Sequence, residues 1–147
     1  MGQLDISVGS IVYVDTAILI YSMERFPDYF PLLEPMWRQL QTSEIRVLTS
    51  ELTLLETLVM PLRNGNTDLI DRYEAMLLSS EISLIPISQN ILKQAANLRS
   101  TTSLKTPDAI HAATAINQNC TVFLTNDTGL RNIPVPSVIV LKDLLNP

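Results

Sequence analysis

Short apolar runs alternate along this chain with stretches in which apolar residues recur at helical spacing. Ile11-Val12-Tyr13-Val14 is a β-branched and aromatic run ending at Asp15, the pattern of a strand buried on both faces. Thr16 to Met23 then predicts a short helix. Pro27, Pro31 and Pro35 crowd the next stretch, and proline lacks an N–H and clashes with the preceding helical turn. A second helix is therefore expected to begin near Pro31 or Pro35 and run to about Gln41, with Trp37 and Leu40 on the core. Ile45 to Thr49 predicts the second strand. Ser50 caps a helix running to about Met60, which Pro61 helps end. Beyond the Asn64-Gly65-Asn66 turn, Asn66 or Thr67 caps a helix to about Leu78, whose Leu69, Ile70, Tyr73 and Leu77 share a face.

Ile82 to Ile87 reads as the third strand, and Ser88 caps a helix to about Arg99. Ser100 to Lys105 is a polar loop. Thr106 is expected to cap the next helix, with Pro107 at its first position and an end near Asn117 to Asn119. Thr121 to Leu124 is a fourth strand, followed by a short helical turn after Asp127, and Ser137 to Leu141 is a fifth. Strands alternating with helices predict an α/β three-layer sandwich, a mostly parallel central sheet flanked by helices. No repeat, linker or low-complexity tract interrupts the pattern, so residues 1–147 are read as a single domain.

Charge changes this picture little at first and then a great deal. Charged residues are 17% of the chain against about 25% in ordinary domains, so part of the apolar surface is expected to be covered by a partner or a second copy. The net charge of −5 argues against a non-specific basic nucleic-acid binder. Cys120 is the only cysteine and sits at a strand entry, which predicts a buried thiol and excludes an intrachain disulfide. The N-terminus lacks the features of a signal peptide, and no segment approaches the roughly 18 apolar residues of a membrane span, so a soluble cytoplasmic protein is expected.

Four acids stand out against this background: Asp15, Glu56, Asp108 and Asp127, each at or just past a strand-to-helix junction. In a parallel sheet such junctions lie on the carboxyl edge, so the four are expected to converge there. Like charges brought together need a positive charge among them. Two divalent cations would bring the net charge from −5 to −1. Asp108 alone could merely complement a helix dipole. Glu51 competes with Glu56, but the two lie about 140° apart around a helix. Glu51 suits the first turn, whereas Glu56 stands among Leu54, Leu55, Leu58 and Val59 and leans back toward the helix start.

Four segments, Val12-Tyr13-Val14-Asp15-Thr16, Ser50 to Glu56, Thr106-Pro107-Asp108-Ala109-Ile110-His111-Ala112-Ala113 and Leu124-Thr125-Asn126-Asp127, resemble in order the motif blocks of PIN-domain nucleases. The likeness is closest to the VapC-type ribonuclease toxins of bacterial toxin–antitoxin modules, and it spans residues 11 to 141. The resemblance implies that Asp15, Glu56, Asp108 and Asp127 are catalytic and hold one or two Mg²⁺ or Mn²⁺ ions, which suit oxygen-only ligands. It implies RNA as substrate, products ending in 5′-phosphate and 3′-hydroxyl, and carboxylates oriented by Thr125 and Asn126. It further implies a protein antitoxin, docked over an apolar groove near Tyr21 to Leu40, and a homodimer. One departure stands at Ala17, where many members carry Asn or Ser. Ala17 and the modest number of basic residues favour the alternative, a catalytically weak or inactive module of the same fold that binds RNA or protein.

His111 is the chain's only histidine and reads as a packing or hydrogen-bonding residue rather than a ligand. Arg99, Lys105 and Arg131 flank the expected edge and are as consistent with solvated charges as with phosphate contacts. No Ser/His/Asp or Cys/His arrangement and no Gly-rich phosphate loop is present. Ala17 also breaks the paired aspartates of a phosphohydrolase, and the acid and lysine placement of a receiver domain is missing.

Overall fold

The computed structural model describes residues 2–145. Five strands, β1 (Ile11–Val14), β2 (Arg46–Ser50), β3 (Ser83–Ile85), β4 (Val122–Thr125) and β5 (Ser137–Val140), form one sheet in the order β3-β2-β1-β4-β5. Every neighbouring pair is parallel, so the sheet is more uniform than the mostly parallel one expected. The flanking helices are α1 (Thr16–Met23), α2 (Phe30–Gln41), α3 (Glu51–Arg63), α4 (Thr67–Ser79), α5 (Gln89–Thr101), α6 (Thr106–Asn117) and α7 (Leu141–Leu145).

Alternation within the strands divides the core. Val12, Val14, Val47, Val122 and Leu124 pack with Ile18 and Leu19 of α1, Leu33 and Met36 of α2, Leu77 of α4 and Leu141 of α7. The intervening Tyr13, Leu48 and Phe123 face the other way, against Ala112 and Ala115 of α6. Small alanines let α6 approach the sheet closely, and Ala109 and Ala113 receive Ile91 and Ala95 of α5. Burial on both faces explains why the strands read as unbroken apolar runs.

Most helix starts fall where the sequence places them. The side chains of Asp15, Ser50, Asn66 and Ser88 accept backbone N–H groups of α1, α3, α4 and α5 respectively. Gly65, at φ +63°, provides the left-handed turn between α3 and α4. Other boundaries differ. Pro61 does not stop α3, which runs on to Arg63: the ring fits helical φ, and only one backbone hydrogen bond is forfeited near the end. Pro35 is likewise inside α2, with Leu32, Leu33 and Met36 as its buried face and Trp37 and Leu40 only partly covered. Lys105, not Thr106, caps α6, because the Thr106 hydroxyl instead accepts from Arg99 Nη1 at 2.8 Å. The third strand is shorter than expected, α5 extends two residues farther, and α7 was not anticipated after β5.

Cys120 is buried as expected, and burial pushes its thiol up to about 12. Among the described residues no helix is long and apolar enough to cross a membrane.

Ser50 is fully buried at the point where β2 becomes α3, and its side chain accepts Leu52 N–H at 3.0 Å. Ser50→Ala is expected to destabilise the fold by about 1 kcal/mol, the usual worth of such a cap. A denaturant-unfolding midpoint unchanged by the substitution would show that the cap contributes nothing.

Candidate active site

From β1 the chain steps outward to β2 and β3 on one side, while β4 and β5 add on the other. The carboxyl ends of β1 and β4 therefore form the switch point where parallel sheets open a crevice. Asp15 follows β1 there, tied to β4 by its own N–H, which donates to Leu124 O at 3.3 Å. Asp127 follows β4 two residues beyond Thr125. Asp108 lies in the first turn of α6, as its third residue rather than its second, since Lys105 is the cap. Glu56 projects from the second turn of α3.

The four acids are graded by depth. Asp15 is buried, with 7% exposure, Glu56 and Asp108 are half-buried, and Asp127 is exposed. Asp15 forms the floor. Its Oδ2 accepts the Thr125 hydroxyl, and its Oδ1 accepts Ile18 N–H at 3.4 Å. Burial raises the Asp15 carboxyl above its ordinary range despite those bonds, and the neighbouring Asp108 charge adds to the rise. Asp108 is raised as well, first by burial and then by the Asp127 carboxylate beside it. Asp127 Oδ1 accepts Gly129 N–H at 2.8 Å and so caps the 3₁₀ turn at Thr128–Leu130.

Glu56 behaves oppositely. Burial alone would raise it, but hydrogen bonds from His111 and Thr16 bring it below the usual carboxylate range. Thr16 Oγ1 donates to Glu56 Oε1 at 2.7 Å, and His111 Nε2 lies 2.8 Å from the same oxygen. His111 is 3% exposed, and its Nδ1 lies 2.6 Å from the hydroxyl of fully buried Tyr13. Tyr13 also accepts Ser50 N–H at 3.1 Å and stacks on Phe123 at 5.1 Å between ring centroids. The hydrogen-bonding reading of His111 thus holds, but the bond reaches into the acidic site. Tyr13 and Thr16 were not singled out from the sequence. Only the period-2 alternation that turns Tyr13 toward α6 carried a signal for either.

Thr125 touches a carboxylate as expected. Asn126 does not: its Nδ2 donates to the Tyr21 hydroxyl at 3.1 Å and its Oδ1 accepts Lys142 N–H at 2.8 Å. It fastens α1 and α7 to the end of β4, because the side chains of consecutive residues leave the strand in opposite directions. Glu51 remains exposed at the start of α3 and accepts Ile87 N–H at 3.2 Å. Arg131 is held by Asp143 at 2.5 and 2.8 Å, which leaves Lys105, with Arg99 beside it, as the basic groups next to Asp108's helix start.

Among the described residues no three acidic, histidine or cysteine side chains are already gathered tightly enough to enclose an ion. Drawing the remaining acids in toward Asp108 and Asp127 requires a positive charge to offset their repulsion. The donor set, carboxylate oxygens alone, fits a hard divalent cation in its chemistry.

The PIN domain family model matches residues 12–136. The fold is similar to that of VapBC2 from Rickettsia felis bound to a DNA fragment from their promoter, with a TM-score of 0.67 and 18% identity over 88% of this chain and 98% of that one. A toxin–antitoxin complex from Klebsiella pneumoniae matches with a TM-score of 0.66 and 25% identity over 87% and 96% of the two chains. Mycobacterium tuberculosis VapC20, a sarcin–ricin-loop-cleaving toxin, matches with a TM-score of 0.63 and 16% identity over 76% and 86%. No significant match is found among curated protein sequences.

A carboxyl raised in the folded state gives stability that is fully present below its unfolded pKa and lost as pH rises through its folded one. At neutral pH Asp15 is therefore a cost to the fold. Asp15→Asn keeps one acceptor oxygen for Ile18 N–H and turns an amide N–H toward the Thr125 hydroxyl, which can accept it, and in chelator at pH 7 it is expected to melt at a higher temperature than the parent. The advantage should shrink as the pH is lowered toward the ordinary aspartate range. Equal melting curves at both pH values would refute the electrostatic account.

Proposed function

The chain belongs to the PIN domain family, a family of nucleases, and on that premise we propose that it is a metal-dependent endoribonuclease, the toxin of a toxin–antitoxin module. Carrying this reading is the placement of Asp15, Asp108 and Asp127 at the β1/β4 switch point, with Asp108 and Asp127 side by side. Asp15, Glu56, Asp108 and Asp127 are the residues that would hold one or two Mg²⁺ or Mn²⁺ ions. When bound, such ions activate a water and neutralise charge on the scissile phosphate and the leaving oxygen.

The chain's own groups do the positioning. Thr125 holds Asp15 at the floor of the crevice, and Gly129 N–H holds Asp127 at its rim. Asp127 is exposed, so a phosphodiester can approach from solvent. Lys105 and Arg99 offer positive charge at the start of α6, where a phosphate flanking the cut bond would pass. Single-stranded or loop RNA fits such an open edge because its backbone is free of a helix.

Two surfaces suit protein partners. A groove of about 550 Å³, walled by Met23, Phe30, Trp37, Leu40, Met76 and Ile82, lies among α1, α2 and α4 and would anchor an apolar antitoxin segment. On α3, exposed Leu55 and Leu62 flank half-buried Val59 at helical spacing and would pair two copies.

Asp108→Asn is expected to lower RNA cleavage at least 100-fold, by analogy with the roughly 10²–10³-fold loss on removing one electrostatic group elsewhere. Cleavage of a mixed RNA should need Mn²⁺ or Mg²⁺ and stop in EDTA. Metal-independent cutting, or full activity in the variant, would overturn the assignment. A well-folded parent that binds RNA without cutting it under either metal would favour the binding-module reading, for which Ala17 is the observation. Leu62→Asp is expected to convert a dimer to monomer in analytical ultracentrifugation with the circular dichroism unchanged; a dimer that persists removes α3 as its interface.

A further inference from the structure

Glu56 and His111 form a contact that the carboxylate site does not by itself require. Both bonds recorded to Glu56, from Thr16 at 2.7 Å and His111 at 2.8 Å, fall on Oε1. Oε2 has no protein partner among the described residues. We infer that Tyr13 and His111 are positioning residues: Tyr13 fixes the His111 ring, and His111 holds Glu56 by one oxygen so that the other is presented to the acidic crevice.

The direction of each hydrogen bond follows from its partners. Ser50 N–H can only donate, so the Tyr13 oxygen is its acceptor. The phenolic proton is assigned to His111 Nδ1, at 2.6 Å the shortest hydrogen bond recorded for this hydroxyl; the Thr49 hydroxyl is also within its reach but gives its own proton to Val14 O at 2.8 Å. A neutral ring that accepts at Nδ1 carries its proton on Nε2, and that proton points at Glu56 Oε1. Thr16 spends its own proton on Glu56, and its oxygen, 3.3 Å from Nε2, is a longer and weaker second acceptor for the ring proton than Glu56 Oε1 at 2.8 Å.

The clamp is rigid where it matters. Tyr13 is fully buried in β1, stacked on Phe123 of β4, and meets the His111 ring edge-on at 5.8 Å. His111 stands on α6 between Ala112 and Ala115 on the sheet side and Ala109 and Ala113 on the α5 side. Four elements, β1, α1, α3 and α6, thereby meet at one carboxylate oxygen. Buried partners of this kind orient ligating groups, and their loss costs about 10- to 100-fold in metal affinity or activity.

This inference rests on the nuclease reading for its purpose but not for its geometry, and the tests separate the two. His111 is the only histidine, so a long-range ¹H–¹⁵N spectrum of the ¹⁵N-labelled, metal-free chain reports one imidazole. The expected spectrum shows Nδ1 bare and Nε2 protonated, with Tyr13→Phe releasing the ring to a mixture of tautomers. A proton on Nδ1 in the parent overturns the relay. Mn²⁺ binding, followed by electron paramagnetic resonance, is expected to weaken about 10- to 100-fold in His111→Asn, whose amide reaches only the Nδ1 position. His111→Gln places an amide N–H near the Nε2 position and is expected to recover most of that loss. Equal weakening in both variants, matched by equal falls in melting temperature, would mean packing alone and would overturn the inference. Absence of RNA cleavage by the parent, with the expected tautomer present, counts against the nuclease reading and not against the relay.

Discussion

Bringing negative charges together at one edge of a parallel sheet is the constraint on which the rest of this structure turns. The strand order sets β1 beside β4, so the residues that follow them, Asp15 and Asp127, must emerge at the same edge. The helix that reaches back to cover β1 and β4 is α6, and its first turn delivers Asp108 to that edge. The apolar faces of the sheet fix this meeting, since Val12, Val14 and Leu124 on one side and Tyr13 and Phe123 on the other leave the strands no freedom to slide. The packing holds the carboxylates where their mutual repulsion would not.

How the fold bears this charge differs from acid to acid. Asp15 and Asp108 are raised because burial removes water and each has an anionic neighbour. Glu56 is lowered because a buried imidazole and a hydroxyl supply what burial took away. The site therefore pairs two acids whose charged form burial disfavours with one whose charge is held by hydrogen bonds. Hydrogen bonds that help also come from helix starts, where free N–H groups face the edge: Ile18 serves Asp15, and Gly129 serves Asp127.

The helix α3 serves two surfaces at once. Its inward face carries Thr53, Glu56 and Thr57, and its outward face Leu55, Val59 and Leu62. A helix turned about its axis would take Glu56 out of reach of His111 and bury the apolar stripe together. The groove between α1, α2 and α4 is a third, separate surface, lined in part by Trp37, whose Nε1 donates to Ser22 Oγ at 2.9 Å. Low charge content across the chain is consistent with apolar surface of this extent.

The sequence alone determined the alternation of strands and helices, because burial on both sheet faces forces unbroken apolar strands, and helical spacing and side-chain caps mark what lies between. It also marked Asp15, Asp108 and Asp127, since a carboxylate at a strand-to-helix junction is visible from local pattern. Prolines misled at α3, where Pro61 is buried inside the helix and forfeits only one backbone hydrogen bond near its end. Asn126, just past β4, bonds to Tyr21 and Lys142 and not to a carboxylate, partners that only the packing of α1 and α7 against that edge supplies. What only the tertiary structure decided was the clamp on Glu56. Tyr13, Glu56 and His111 are far apart along the chain, each ordinary in its own segment, and their hydrogen bonds exist because β1, α3 and α6 pack into one corner. Local pattern reports what a residue can do within its own turn or strand; contact across elements depends on the packed fold as a whole.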